Sequence, residues 1–169
     1  MTEITAYIGL GLLDRPGVRT VEGSGEYLDG FVGDSPRQPG LPFYNQPQAV
    51  GDTARLFAKQ VEGGRTVERA ALVLEALPDT VRRVVVSVNM DVETGLFCDA
   101  LTGATLTVEV GDSTWEFQPP GDAEIKAMAV AEIYRHRSGN EQVWKLRAVG
   151  LGWADGLAGL ARDHGVVVD

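Results

Sequence analysis

Residues 125–169 read IKAMAVAEIYRHRSGNEQVWKLRAVGLGWADGLAGLARDHGVVVD, and the alternation within this stretch decides the fold. From Val143 to Val149, Trp144, Leu146 and Ala148 fall on one face while Lys145 and Arg147 fall on the other. That period of two belongs to a half-buried strand. The run before it, Ile125–Arg135, is apolar on both sides, with Met128 and Val130 opposite Ala127, Ala129 and Ala131. It predicts a central strand covered on both faces. Between the two, Ser138-Gly139-Asn140 supplies residues that tolerate positive φ, as a hairpin over Ser138–Glu141 requires. After Gly152 the apolar positions change period. Trp153, Leu157, Leu160, Ala161 and His164 recur at helical spacing, with Asp155 near the start and Gly165 placed as a C′ residue. The spacing predicts a short helix that seals one open end of a sheet core, with His164 as a helix-end residue and Val166–Val168 as a last apolar run.

The rest of the chain repeats the strand signal in short pieces. Ile4, Ala6, Ile8 and Leu10 alternate with Thr5, Tyr7 and Gly9 up to a turn at Asp14-Arg15-Pro16-Gly17. Residues 21–42 are rich in acids, glycine and proline and read as loops around a short strand near Tyr27–Val32. Phe43-Tyr44-Asn45-Gln46 sits between Pro42 and Pro47. The segment Gly51–Arg65 fits helix or strand equally, and Gly63-Gly64 ends it. Ala70–Leu74 reads as a strand before the turn Leu77-Pro78-Asp79. Val84, Val86 and Val88 share a face opposite Arg83, Val85 and Ser87. Leu106, Val108 and Val110 alternate with Thr107 and Glu109, and Trp115 and Phe117 with Glu116 and Gln118, across Gly111-Asp112-Ser113. Seven or eight short strands and one late helix predict a mainly-β chain, a two-sheet β-sandwich forming a single domain over 1–169.

Composition narrows the function classes. The 169 residues carry 44% hydrophobic and 23% charged side chains, ordinary for a soluble domain able to bury a core without disulfides or metal. The lone Cys98 allows no internal disulfide, which fits a reducing cytoplasm. Met-Thr-Glu-Ile at the start has no basic region ahead of an apolar core, so no signal peptide is expected, and no apolar run is long enough for a membrane span. Twenty-four acids against 15 bases give a formal charge of −9, which repels phosphate backbones and anionic membrane surfaces. Nucleic acid and direct membrane insertion are therefore not expected.

Enzyme signatures are thin. Cys98 has no histidine near it in sequence, and His136 lies in or beside the hairpin turn. Gly9-Leu10-Gly11 follows a strand, but Pro16 and Gly17 stand where a helix would begin and no third glycine completes a dinucleotide fingerprint. There is no P-loop and no zinc-ligand spacing. Oxygen-ligated metal is the one chemistry to weigh, because calcium takes six to eight oxygens from flexible acidic loops. Three groups of acids qualify: Glu22, Glu26, Asp29 and Asp34; Asp52, Glu62 and Glu68; Asp91, Glu93 and Asp99. The plain alternative is a set of solvated loop carboxylates.

Several stretches carry a family likeness. Phe43-Tyr44-Asn45-Gln46, Glu132-Ile133-Tyr134-Arg135 and Trp144-Lys145-Leu146-Arg147-Ala148-Val149-Gly150 resemble the TerD family of tellurium-resistance and stress-response proteins. So do Trp153, Gly156-Leu157, Arg162-Asp163-His164-Gly165-Val166 and the opening Gly9-Leu10-Gly11. The resemblance implies a bacterial cytoplasmic β-sandwich that binds calcium through acidic loops and assembles with other Ter-type proteins. This chain departs from the pattern in those loops. Tyr27 stands where the first loop has an acid, beside Leu28-Asp29. Gly63-Gly64-Arg65-Thr66-Val67-Glu68 replaces a dense acidic run, keeping Glu68 with Glu62 ahead of it. The third loop keeps Asp91. With Asp29, Glu62, Glu68 and Asp91 as the residual metal candidates, calcium binding is expected to be weak or lost, since affinity follows the number of charged ligands. The resulting expectation is a non-catalytic stress-response module working through protein contacts. The alternatives are a calcium-dependent version in which those four acids converge, an enzyme with an unrecognised site, and a sugar- or peptide-binding sandwich using Tyr27, Phe31, Phe43 and Tyr44.

Overall fold

A computed structural model of the chain describes residues 6–13, 48–49, 53–57, 60–79, 81–91 and 93–163. Eleven strands follow in order among them: β1 (Ala6–Leu13), β2 (Gln48–Ala49), β3 (Ala54–Leu56), β4 (Gln60–Glu62), β5 (Arg65–Val67), β6 (Ala70–Leu72), β7 (Arg83–Met90), β8 (Leu106–Val110), β9 (Ser113–Phe117), β10 (Ala127–Ser138) and β11 (Glu141–Trp153). One helix, α1 (Leu157–Asp163), closes the series, and two short 3-10 helices lie at Leu74–Ala76 and Cys98–Leu101. The fold is mainly β with a short helix near the C-terminus, as the alternation predicts. The described strands form a four-stranded sheet β1-β7-β10-β11, a three-stranded sheet β2-β3-β6 and the two hairpins β4-β5 and β8-β9. The turn at Asp14–Gly17, the strand near Tyr27–Val32, the tetrad Phe43–Gln46, His164, Gly165 and Val166–Val168 lie outside the described residues.

Strand β10 is the centre of the four-stranded sheet. It pairs antiparallel with β11 on one side and with β7 on the other. Its first six residues, Ala127–Glu132, are all buried, as a strand covered on both faces demands. The register shifts between Ala129 and Ala131: Ala129 opposes Ser87, and Ala131 already opposes Val86. This β-bulge turns Ala131 onto the face of Met128 and Val130, which corrects the simple alternation that set Ala131 opposite them. One face then carries Val84, Val86, Met128, Val130 and Ala131, packed with Leu77, Val81, Cys98 and Leu101 and flanked by Ile133, Trp144 and Leu146. The other carries Val85, Ala127, Ala129 and Trp153 with Leu160 of α1, flanked by Val149. Each fully buried aliphatic side chain in these clusters contributes about 1.5–3 kcal/mol of transfer free energy.

The β10-β11 hairpin turns at Gly139-Asn140, as its residue types predict, but both strands run longer than the alternation suggests. Trp153 ends β11 instead of opening the helix. Its indole N–H donates to the Asp163 carboxylate, tying the last residue of α1 back to the sheet. Leu160 and Ala161 are buried, while Arg162 pairs with Asp155 across the helix. In the segment with no clear period, Gly63 and Gly64 both take positive φ, 57° and 78°, and form the two-residue turn of the β4-β5 hairpin.

Arg135 binds β10 to the loop before β7. Its Nε donates to the Val81 carbonyl at 2.8 Å and its Nη2 to those of Leu77 and Pro78 at 2.9 and 3.1 Å. The guanidinium also lies 4.5 Å from the centre of the Trp144 ring. These contacts satisfy the charge and fix the loop path into β7.

Gly152 is a glycine because of close approach, not because of its backbone angle. A Cβ there would overlap Ile125 Cδ1 and stand 2.8 Å from the Ala127 carbonyl oxygen. Gly152→Ala is expected to destabilise the chain by about 1–3 kcal/mol, the usual cost of overpacking. Urea unfolding checks this, with a lowered midpoint at unchanged m-value.

Candidate functional site

The metal candidates from the sequence fall on different supports. Glu62 ends β4 and is exposed, and Arg69 grips both its oxygens, Nη1 to Oε1 at 2.7 Å and Nη2 to Oε2 at 2.9 Å. This pairing, chiefly through the hydrogen bonds from Arg69, holds the Glu62 carboxyl below its usual range. Glu68 is half-buried in the stretch between β5 and β6. Asp91 follows β7, and its Oδ1 accepts the backbone N–H of Glu93 at 2.9 Å in a local turn. Asp29 lies outside the described residues. Among the described residues no three His, Cys, Asp or Glu side chains gather so that they could hold a metal ion.

The hairpin that carries Glu62 makes a further contact at its tip. Arg65, just past the glycine turn, donates to the Gly103 carbonyl at 3.3 Å and links the β4-β5 hairpin to the loop ahead of β8. Phe57, Val61, Val110 and Trp115 are all exposed, Val61 at 72% and Trp115 at 50%. They leave apolar surface on and around the β4-β5 and β8-β9 hairpins.

A second constellation is absent from the sequence reading. Glu132 of β10 is 1% exposed and stands between Arg83 of β7, 6% exposed, and Arg147 of β11. Arg83 Nη1 donates to Glu132 Oε1 at 3.3 Å, and Arg147 Nε donates to Oε2 at 2.7 Å, with Arg147 Nη2 on the same oxygen. Arg147 also lies 5.3 Å from the Tyr134 ring centre. Burial pulls the Arg83 guanidinium below its usual range, and Glu132 opposes that pull. A glutamate amid Ala131 and Ile133, on a strand read as covered on both faces, is the signal that could have found it. A buried carboxylate needs cationic neighbours.

Cys98 is fully buried in the core, and its thiol is pushed up to about 11, first by burial and then by Asp122 and Asp99. At neutral pH it is a protonated thiol and a poor nucleophile. Lys126 lies 5.0 Å from the Phe97 ring centre beside it in the chain.

The model of the TerD domain matches residues 33–164, well over half of the chain. The chain belongs to the TerD family. The crystal structure of SAV2460, a protein of unknown function, superposes with a TM-score of 0.66 at 20% identity, covering 96% of this chain and 86% of that one. At that identity the likeness speaks to the fold alone. The adenylate kinases of Bacillus cytotoxicus and Bacillus mycoides are 30% identical over 79 residues, 46% of this chain. The chain spans only 37% of the length of these kinases.

Arg69→Gln is expected to raise the Glu62 titration midpoint back toward that of an ordinary carboxylate, read by NMR of the side-chain carboxyl carbons. Because the folded value is depressed, the pair stabilises the fold above the unfolded carboxylate pKa. That contribution fades as pH falls through the folded value. An unchanged midpoint would show that Arg69 does not hold Glu62 in solution.

Proposed function

We propose that this TerD-family stress-response protein is a non-catalytic module of the bacterial cytoplasm. In this reading it acts through contacts with other proteins, Ter-type partners among them, and its calcium binding is weakened or lost. The observation that carries the reading is the capture of Glu62 by Arg69. A calcium ligand must offer lone pairs to the ion, and both Glu62 oxygens already accept charge-assisted hydrogen bonds. Arg65 adds a further positive charge at the tip of the same hairpin, and Asp91 spends one oxygen on its own turn. Each feature lowers the net negative charge on which such sites depend. Exposed Val61, Val110 and Trp115 support the protein-contact half of the proposal, since apolar groups at hairpin ends suit partner burial.

A phosphotransferase reading draws on the partial likeness to adenylate kinases. P-loop phosphoryl transfer needs backbone amides of a glycine-rich loop and its lysine around the nucleotide phosphates. The amino-acid sequence contains no such motif, and Cys98 is inert, so the binding-module reading is preferred.

Thermal unfolding of the full chain with millimolar calcium and with chelator tests the proposal. A site filled to 100 times its dissociation constant adds about 2.7 kcal/mol. In a domain of this size that raises Tm by about 5–10 °C. The expected difference between the two conditions is less than about 1 °C. A rise in the larger range would restore the calcium-dependent alternative.

A further inference from the structure

The Arg83–Glu132–Arg147 row has one feature that its own ion pairs leave unused. Arg147 turns the Nε–Nη2 edge of its guanidinium toward Glu132. Arg83 reaches Glu132 only through Nη1, in a long contact of 3.3 Å. Its own Nε and Nη2 are buried and have no hydrogen-bond partner among the described residues. That edge presents two parallel N–H donors, the spacing that matches two oxygens of one carboxylate or phosphate. Leaving two donors of a buried cation unmet is costly, and more so than for a neutral group. Among the three side chains of the row two are cationic and one is anionic, and of the two cations Arg83 is the one withdrawn from solvent.

The backbone around Arg83 adds a second observation. Strand β1 pairs with β7 so that Gly9 opposes Ser87 and Gly11 opposes Val85. Ser87, Val85 and Arg83 alternate onto one face of β7, the face of Glu132 and Arg147. Leu13 stands opposite Arg83 itself, and Gly9 and Gly11, further along the same face of β1, bring no side chain to the sheet surface beside Ser87 and Val85. The Gly9-Leu10-Gly11 motif, unexplained as a nucleotide loop, here leaves the sheet surface beside Val85 and Ser87 without side chains from its two glycines.

We propose that Arg83 is the anchor of an oxyanion site on this face of the sheet, its Nε–Nη2 edge taking two oxygens of a ligand carboxylate or phosphate while Glu132 and Arg147 hold it in place. The site is separate from the acidic loops and does not depend on the calcium reading. Arg83 binds; Glu132 and Arg147 are positioning residues.

The test follows the Arg83 Nε–H resonance of the full chain by 15N NMR in chloride buffer at constant ionic strength. One arm titrates inorganic phosphate and the other acetate. A saturable shift of this resonance in the phosphate arm assigns a phosphate-bearing ligand, one in the acetate arm a carboxylate, and one in both an oxyanion site that does not discriminate. Arg83→Lys keeps the charge but loses the two-pronged edge, and binding by calorimetry is expected to weaken at least about tenfold. No saturable shift in either arm up to about 50 mM would overturn the proposal, since weaker binding is indistinguishable from screening. A rise in Tm without movement of the Arg83 resonance would also overturn it, as general anion stabilisation. If Arg83→Lys does not fold, the wild-type resonance alone decides.

Discussion

Strand β10 is hydrogen-bonded along both edges and buried on both faces over Ala127–Glu132. A strand in that position has no solvent to satisfy any polar group, so each residue on it must be apolar or bring its partner from β7 or β11. Small side chains at Ala127, Ala129 and Ala131 let layers approach closely from either side. Met128 and Val130 fill the larger face. The bulge at Val130 lets the strand place Ala131 with Met128 and still turn Glu132 toward the opposite face, where Arg83 and Arg147 wait. Strict alternation through Val130 would instead point the glutamate into the cluster of Val84, Val86 and Leu101.

Much of this was legible in the amino-acid sequence because it follows from period. The alternation of Trp144, Leu146 and Ala148 against Lys145 and Arg147 describes the sides of β11 correctly. Val84, Val86 and Val88 likewise mark one face of β7. The failures have local causes. A bulge leaves no trace in composition, so alternation alone puts Ala131 on the wrong side. Strands of three residues, such as β3 to β5, are too short for a period to register, which is why Gly51–Arg65 read as helix or strand alike. Trp153 fits a helical stripe by spacing, yet hydrogen bonds to β10 claim it for the sheet. The candidate site was less legible still. Acids and their positions can be read from a sequence, but the grip of Arg69 on Glu62 depends on a hairpin bringing residues seven apart face to face. The Arg83–Glu132 pair spans 49 residues and exists only through strand order.

The chain's arginines thus serve two opposite ends. At the rim, Arg65 and Arg69 are exposed, and such pairs contribute little to stability once solvent screens them. Their consequence is electrostatic: Arg69 neutralises the Glu62 carboxylate, and Arg65 adds a positive charge to the same hairpin. In the sheet, Arg83 is enclosed, and the balance is reversed. Charge there is costly to bury and strongly felt once buried.

That cost bears on why the row exists at all. Replacing a buried ion pair by well-packed apolar groups is often neutral or stabilising by about 1–4 kcal/mol. Val85, Ala129 and Leu160 nearby show that this face can be filled with hydrocarbon. An arginine with two unmet donors is a worse bargain than a complete pair, since its desolvation is only half compensated. Stability alone therefore does not account for Arg83. The neighbouring Arg135 makes the contrast: it donates to three carbonyls, faces Asp79 at 3.5 Å and stacks on Trp144, as a structural arginine should. Arg83, enclosed at least as fully and on an adjacent strand, pairs among the described residues with Glu132 alone. Two arginines on neighbouring strands with opposite degrees of satisfaction among the described residues distinguish a residue that holds the fold from one poised to hold something else.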